Sequence, residues 1–186
     1  MHEQLEASPD RELVERFKSG GHAGRREAFC TLYERHAGRL CAYLTGLTRS
    51  PHVAEDLAQD AFLRALNGLD GFSQRSSFRT WLYRIATNLW TDHLRRDKAV
   101  LTDGAVQGGM SATAPSPAEI VQTDDEARRL WEAIDALPGG LRAPLVLVRF
   151  EGMKYREAAD VLGLTMDAVR MRIHRAHMAL VAALVD

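Results

Sequence analysis

No apolar run in this 186-residue chain approaches the ~20 residues that a membrane-spanning helix needs, so no membrane insertion is expected. The amino-terminal stretch MHEQLEASPDRELVERFKSG is polar and acidic, lacks the apolar centre of a signal peptide, and points to a cytoplasmic protein. Cysteine is scarce. Cys30 and Cys41 fall in one predicted helix, eleven residues apart, on a shared face but roughly 16 Å apart at the helical rise. They are too distant to pair with each other and read as buried small hydrophobes. The seven histidines form no cluster with cysteine at zinc spacing. His174 and His177 can share a helix face, but two ligands do not make a site, so neither a metal nor another cofactor is expected. Strand signals are missing throughout. So are paired carboxylates, a nucleophile with its base, and a phosphate loop in a suitable context, which makes an enzyme the weakest reading.

What is present is enough apolar material, 46% of residues, for packed cores in one or two small domains. The net charge of −1 argues against a polyanionic partner, but its distribution points the other way. Residues 75–98 carry six cations (Arg75, Arg79, Arg84, Arg95, Arg96 and Lys98) against Asp92 and Asp97. Residues 166–183 carry Arg170, Arg172 and Arg175 against Asp167, with two histidines added. Between them, residues 119–135 hold six anions against Arg128 and Arg129. Two basic helices separated by an acidic segment suggest two contacts with a polyanion.

The chain organises itself as helices. Residues 10–18 predict a short amphipathic helix with Leu13, Val14 and Phe17 inward. Residues 25–48 predict a longer one, with Phe29, Leu32, Tyr33, Leu40, Tyr43, Leu44 and Leu47 at helical spacing. The next begins at Ser50 as N-cap with Pro51 in the first turn and stops at Asn67-Gly68. The loop LDGFSQRSS leads to a fourth helix, which Ser76 or Ser77 can cap. That fourth helix, FRTWLYRIATNLWTDHLRR (residues 78–96), is apolar on two sides. At about 100° per residue, Leu82, Ile85 and Leu89 share one face with Trp81 at its edge, and Tyr83, Trp90 and Leu94 lie nearly opposite. Arg84, Asn88, Thr91 and Arg95 form a polar strip between them. Trp81 reads as core; Trp90 is open between core and surface.

The Gly-, Ala-, Ser-, Thr- and Pro-rich stretch 98–122 reads as a flexible linker, because a structureless loop of that length inside one domain is unusual. The expected fold is all-α, with two small helical domains, residues 1–97 and 123–186, joined by that linker. In the second, a helix over 123–136 breaks at LPGG and another follows over 141–151, with Pro144 in its first turn. In YREAADVLGLTMDAVRMRIHRAHMALVAAL, Ala159, Gly163 and Val169 stand at the spacing of a helix-turn-helix. Thr165 can cap the second helix, whose inner stripe is Val169, Ile173, Ala176 and Leu180. Arg170, Met171, His174 and Arg175 lie outside that stripe, where a recognition helix meets the major groove. The alternative is a helical hairpin with a solvated basic face.

The stretches AEDLAQDAFLRAL, FRTWLYRIATN and YREAADVLGLTMDAVRMRIHRAH, in this order with a linker before the last, closely resemble bacterial sigma factors of the extracytoplasmic-function group. The resemblance covers about residues 10–184. It implies a first domain that binds the β′ clamp helices of core RNA polymerase and melts the promoter −10 element, and a second that sits on the β flap and reads the −35 element. By position, Asp56, Gln59 and Asp60 match the clamp-binding helix, although a solvated polar face explains them equally. Asn88 matches a position that captures a flipped base of the non-template strand, and the loop 70–77 matches the wall of that pocket. The strip Arg84, Asn88, Thr91 and Arg95 then faces single-stranded DNA. Arg170, Met171, His174 and Arg175 match contact positions of the recognition helix. The resemblance also implies an anti-sigma partner.

Three departures stand out. Where many members carry Gly-Thr before the valine of the recognition helix, this chain has Asp167 and Ala168, so a phosphate contact is lost and a negative charge sits near the groove. His177 stands where arginine is common. The adjacent tryptophan pair of housekeeping sigma factors is also missing from the melting helix, which implies promoter-selective opening. Nothing follows Asp186, so no built-in regulatory domain is expected. A duplex-binding helix-turn-helix regulator is the main rival, but it leaves FRTWLYRIATN without a role; an adaptor with degenerate sigma domains is the second.

Overall fold

A computed structural model of the chain describes residues 9–102 and 125–185, and every regular element among them is helical. The amino-terminal residues 1–8 and positions 103–122 of the expected linker lie outside the described residues. Helix α1 (Pro9–Ser19) sets Val14 and Phe17 against α2 (His22–Thr48), which buries Ala28, Leu32, Leu40, Tyr43, Leu44 and Leu47 along one line. Each fully buried leucine of that line contributes about 1.5–3 kcal/mol. Helix α2 starts three residues earlier than expected, with no side-chain cap, and the tie between α1 and α2 is made further along. There, buried His36 Nε2 lies 2.7 Å from Asp10 Oδ2, and Arg35 donates to the other oxygen. Burial alone would raise the Asp10 carboxyl, but the hydrogen bonds and charges of His36 and Arg35 outweigh it and hold it below the usual range.

Helix α3 (Pro51–Gly68) begins as expected, with the Ser50 Oγ accepting from the Val53 N–H at 3.4 Å. Its inward face is mostly alanine (Ala54, Ala58, Ala61, Ala65) around Leu57 and Phe62, which brings the helix close to its neighbours. Of the two candidate caps for α4 (Phe78–Thr102), Ser77 is the one used: its Oγ accepts from the Thr80 N–H at 3.1 Å. Residues 98–102 therefore continue the helix rather than open the linker. Three inward assignments do not hold. Tyr33 is 45% exposed, leaning on Phe62 across 4.7 Å. Cys30 is exposed and Cys41 only half-buried, since both fall off the buried line of α2.

The second half comprises α5 (Asp125–Ala136), α6 (Gly139–Arg149), α7 (Tyr155–Leu162) and α8 (Met166–Val185). Helix α6 starts at Gly139, so Pro144 falls beyond the first turn, against expectation. The N–H that proline lacks would have met the Gly140 carbonyl, and Gly140 is exposed, so the lost bond falls where the helix is open to solvent. The turn between α7 and α8 is built as read from the sequence. Gly163 adopts the left-handed conformation (φ 63°), and the Thr165 Oγ1 accepts from the Ala168 N–H at 3.2 Å. Val169, Ile173, Ala176 and Leu180 are all buried. The two halves do not stand apart. Their apolar residues form one continuous core, with α2 and α4 facing α6 and α7.

Candidate nucleic-acid interface

The three faces of α4 have three different neighbours. Leu82 and Leu89 are fully buried in the core of the first four helices. The strip between the apolar faces stays open: Arg84, Asn88 and Arg95 are exposed and Thr91 is half-exposed. Thr91 spends its hydroxyl hydrogen on the Thr87 carbonyl at 2.9 Å, and Arg95 lies 3.5 Å from Asp92 in an exposed pair that contributes at most about 1 kcal/mol. The Arg95 charge therefore remains available to a polyanion.

Beside the start of this strip is a cavity of about 550 Å³, walled by Phe72, Arg75, Ser76, Thr80, Trp81 and Arg84. Trp81 is not simply a core residue. Its ring stacks on Phe72 at 4.6 Å and lines the cavity, and a Cβ at Gly68 would sit only 3.2 Å from it. The loop that forms the outer wall is held from three sides. Arg25 makes a two-pronged pair with Asp70 (2.9 and 2.6 Å), Lys18 donates to the Phe72 carbonyl at 2.6 Å, and Gln74 donates to Glu15 at 2.7 Å. Arg25 lowers the Asp70 carboxyl in turn. Such a pinned wall presents a preformed slot lined by both aromatic rings and guanidinium groups.

The second apolar face of α4 receives the carboxy-terminal half. Tyr83 is fully buried; its ring lies 5.1 Å from that of Tyr43, and its hydroxyl donates to Glu151 Oε2 at 2.7 Å. Burial, then the negative charge of Glu151, push the Tyr83 hydroxyl well above the usual tyrosine range. Thr87 knits the same face, donating to the Tyr83 carbonyl at 2.7 Å and lying 3.0 Å from the Tyr43 hydroxyl. Arg79 donates to the Glu151 carbonyl at 3.1 Å. Trp90 is buried against Gly139, where a Cβ would meet its ring at 2.9 Å. From the other side, Arg142 is 5% exposed and donates to the Gly46 carbonyl of α2 at 2.9 Å and to the Leu137 carbonyl at 3.1 Å. Leu94, expected on this face, lies past its end and is 39% exposed.

On α8, Asp167, Arg170, Met171, His174 and Arg175 are all exposed on the side away from the buried stripe. Asp167 does not stand alone: its carboxylate is 3.4 Å from Arg170, whose guanidinium also lies 6.0 Å over the ring of Tyr155. On α3, Asp56, Gln59 and Asp60 are exposed as expected. Sequence reasoning missed their apolar continuation, Leu63 at 58% exposure and Leu66 at 37%. The i+3 offset of Leu63 from Asp60 and the i+7 offset of Leu66 from Gln59 were the available signal.

Known proteins place this arrangement. Residues 32–100 match the family model for sigma-70 region 2, and residues 127–180 match that for sigma-70 region 4. The sigma factor SigE of Mycolicibacterium smegmatis, an extracytoplasmic-function (ECF) protein, is 32% identical over 88% of this chain, which spans 64% of that relative's length. The ECF sigma-E factor of Escherichia coli is 31% identical over 97% of this chain and 95% of its own. The chain belongs to the ECF sigma factors of the sigma-70 family. ECF sigma factors direct RNA polymerase to promoters and act in transcription initiation. The solved structure of CnrH, in complex with the cytosolic domain of CnrY, shares the architecture at a TM-score of 0.67, with 31% identity over 95% of this chain and 97% of that one. In this sigma factor the region 2 match contains the α4 strip and the cavity loop, and the region 4 match contains the exposed face of α8. Among the described residues no helix is long and apolar enough to cross a membrane.

Proposed function

We propose that the α4 strip and the adjoining cavity are where this sigma factor takes up the melted −10 element. Asn88 offers one donor and one acceptor to a base extruded from the non-template strand, while Arg84 and Arg95 neutralise the flanking phosphates and Thr91 lines the path. The carrying observation is the cavity of about 550 Å³ whose wall is pinned by Arg25, Lys18 and Gln74 and whose lining includes the exposed Arg84, one helical turn before the exposed Asn88 on α4. A base needs a slot that is rigid before it arrives, because unstacking already costs a few kcal/mol.

On this reading α3 presents Asp56, Gln59 and Asp60, with Leu63 beside them, to the β′ clamp helices of core polymerase. The carboxy-terminal unit, residues 123–186, rests on the β flap and reads the −35 duplex through Arg170, Met171, His174 and Arg175, with Asp167 restraining Arg170. Residues 1–97 and 123–186 are the two functional units, and residues 98–122 contain the connection between them. The protein works in the cytoplasm, carries out no catalysis of its own, and is held by an anti-sigma factor; CnrH, solved with the cytosolic domain of another protein, supports such a partner.

Open-complex formation by reconstituted holoenzyme tests the assignment. Asn88→Ala should weaken opening by about 1–3 kcal/mol and leave the affinity for core polymerase unchanged. Equal loss of core binding would give Asn88 a structural role instead.

A further inference from the structure

The loop that walls the cavity carries a strained residue. Gln74 is not glycine, yet it sits in the left-handed region at φ 54°. There a Cβ crowds the backbone, and the conformation persists only where the surroundings impose it. The Gln74 Oε1 is buried with no hydrogen-bond partner among the described residues, a second cost. Gln74 does not itself line the cavity, but its neighbours Ser73, Arg75 and Ser76 do. Relaxing its φ would turn the peptide planes on either side and re-aim those neighbours. The shape of the cavity therefore belongs to this one loop conformer.

What imposes that conformer lies elsewhere in the chain. Gln74 Nε2 donates to Glu15 Oε1 at 2.7 Å, and Lys18 Nζ donates to the Phe72 carbonyl at 2.6 Å. Arg25 grips Asp70 with two hydrogen bonds, and its guanidinium lies 4.2 Å over the ring of buried Phe17. These anchors belong to α1 and the start of α2, and all precede residue 32, where the region 2 match begins. Folding stability does not account for them. The Arg25 and Asp70 side chains are 34% and 59% exposed, and exposed pairs add little to folding. Glu15 is exposed as well. Weak bonds that converge on one strained loop select its conformer instead.

We propose that Glu15, Lys18 and Arg25 are positioning residues for promoter opening: acting through Gln74, Phe72 and Asp70, they hold the cavity loop in the conformer that fits the captured base. Helix α1 and the start of α2 thereby take part in −10 selection without touching DNA. The inference rests on the pocket reading above and adds what sets the pocket's shape. Apparent affinity for the preferred base scales with the fraction of chains that hold the fitted conformer. Other conformers fit other bases, so discrimination falls with that fraction.

Charge reversal with rescue tests this in reconstituted holoenzyme. Arg25→Asp and Asp70→Arg each replace the pair with like charges, and the double reversal restores opposite charges in exchanged places. Opening is read on a promoter library randomised across the −10 element. Each single reversal should lower opening on the wild type's preferred −10 sequence about tenfold and flatten the preference, and the double reversal should regain most of both. Affinity for core polymerase should not change, and the thermal midpoint should stay within about 3 °C, as for any exposed pair. If a reversal fails to fold by circular dichroism, Lys18→Met, which keeps the stem and loses the bond to Phe72, gives the same readout. Unchanged opening and preference in the folded variants overturns the proposal. So does a defect that the double reversal leaves in full, or one matched by equal loss of core binding. Asn88→Ala in the same assay separates the two ideas. Impaired opening there beside normal reversals keeps the pocket and removes the positioning role; normal opening there removes the pocket reading and this proposal with it.

Discussion

Removing the single hydroxyl of Tyr83 should loosen the contact between the two halves by a calculable amount. Tyr83→Phe keeps the ring beside Tyr43 at 5.1 Å and keeps the Tyr83 carbonyl as acceptor for Thr87. What disappears is the 2.7 Å hydrogen bond to Glu151. Bonds to a charged partner are worth about 1.5–3 kcal/mol net. Glu151 is only half-buried and recovers water when the halves part, so the loss belongs at the lower end, about 1–2 kcal/mol, or ~5–30-fold in the closed-to-open ratio. Native-state hydrogen exchange reads this directly: protection of amides at the facing surfaces of α4 and α7 should fall by that amount, while protection in the α2–α3 contact should not. The pH dependence gives a second reading. Because the folded-state pKa of Tyr83 is raised, its bond stabilises closure fully below the ordinary tyrosine pKa of about 10 and is lost as pH rises through the raised value. The wild type should therefore open on the alkaline side, and Tyr83→Phe should show a flatter profile. Unchanged protection in Tyr83→Phe at neutral pH would refute the assignment of the contact to this bond.

Three further outcomes are expected. Leu82→Ala, which empties a fully buried site of α4, should cost about 2–5 kcal/mol in urea unfolding, and a loss under 1 kcal/mol would mean the core is not packed there. The Asp10 carboxyl, with its pKa below the usual value, should stabilise the α1–α2 tie above about pH 4 and lose that contribution as pH falls through its lowered pKa. Asp10→Asn should flatten the acid limb of stability against pH, and an unchanged limb would contradict the His36–Arg35 account. On α8, Arg170→Ala should abolish discrimination at one or two −35 positions, and Asp167→Ala, by freeing the guanidinium 3.4 Å away, should relax specificity or tighten binding. Transcription from a promoter library checks both, and no change in promoter choice from either would remove α8 as the reading helix.

The elements legible in the sequence are those decided within a few residues. Ser50 and Pro51, Ser77, Gly163 and Thr165 act on backbone groups of their own turn, so helix ends and the helix-turn-helix follow from local chemistry. The buried stripe of α8 and the open strip of α4 follow from helical periodicity alone. Periodicity fails where a helix is longer or starts earlier than its apolar pattern. Helix α6 takes in Gly139 and Gly140, and α4 runs on to Thr102 through residues that carry no stripe. It also cannot rank two equally spaced positions, which is why Tyr33 and Cys30 were expected inside. The docking of the halves was invisible for a different reason. The Tyr83–Glu151 and Arg142–Gly46 bonds join groups 68 and 96 residues apart, and no local pattern marks either partner. The second apolar face of α4 was legible as a face, but Trp90 on it was left open between core and surface; what covers Tyr83 and Trp90 is the chain's own region 4 unit.

The most direct test places a benzophenone side chain at position 91, within the strip yet leaving Asn88 and both flanking arginines intact. Holoenzyme carrying it should crosslink, on irradiation, to the non-template strand of the −10 element and only after the promoter has opened. Crosslinking to closed duplex DNA, to the template strand, or to no DNA at all would contradict a strand-capturing role for α4.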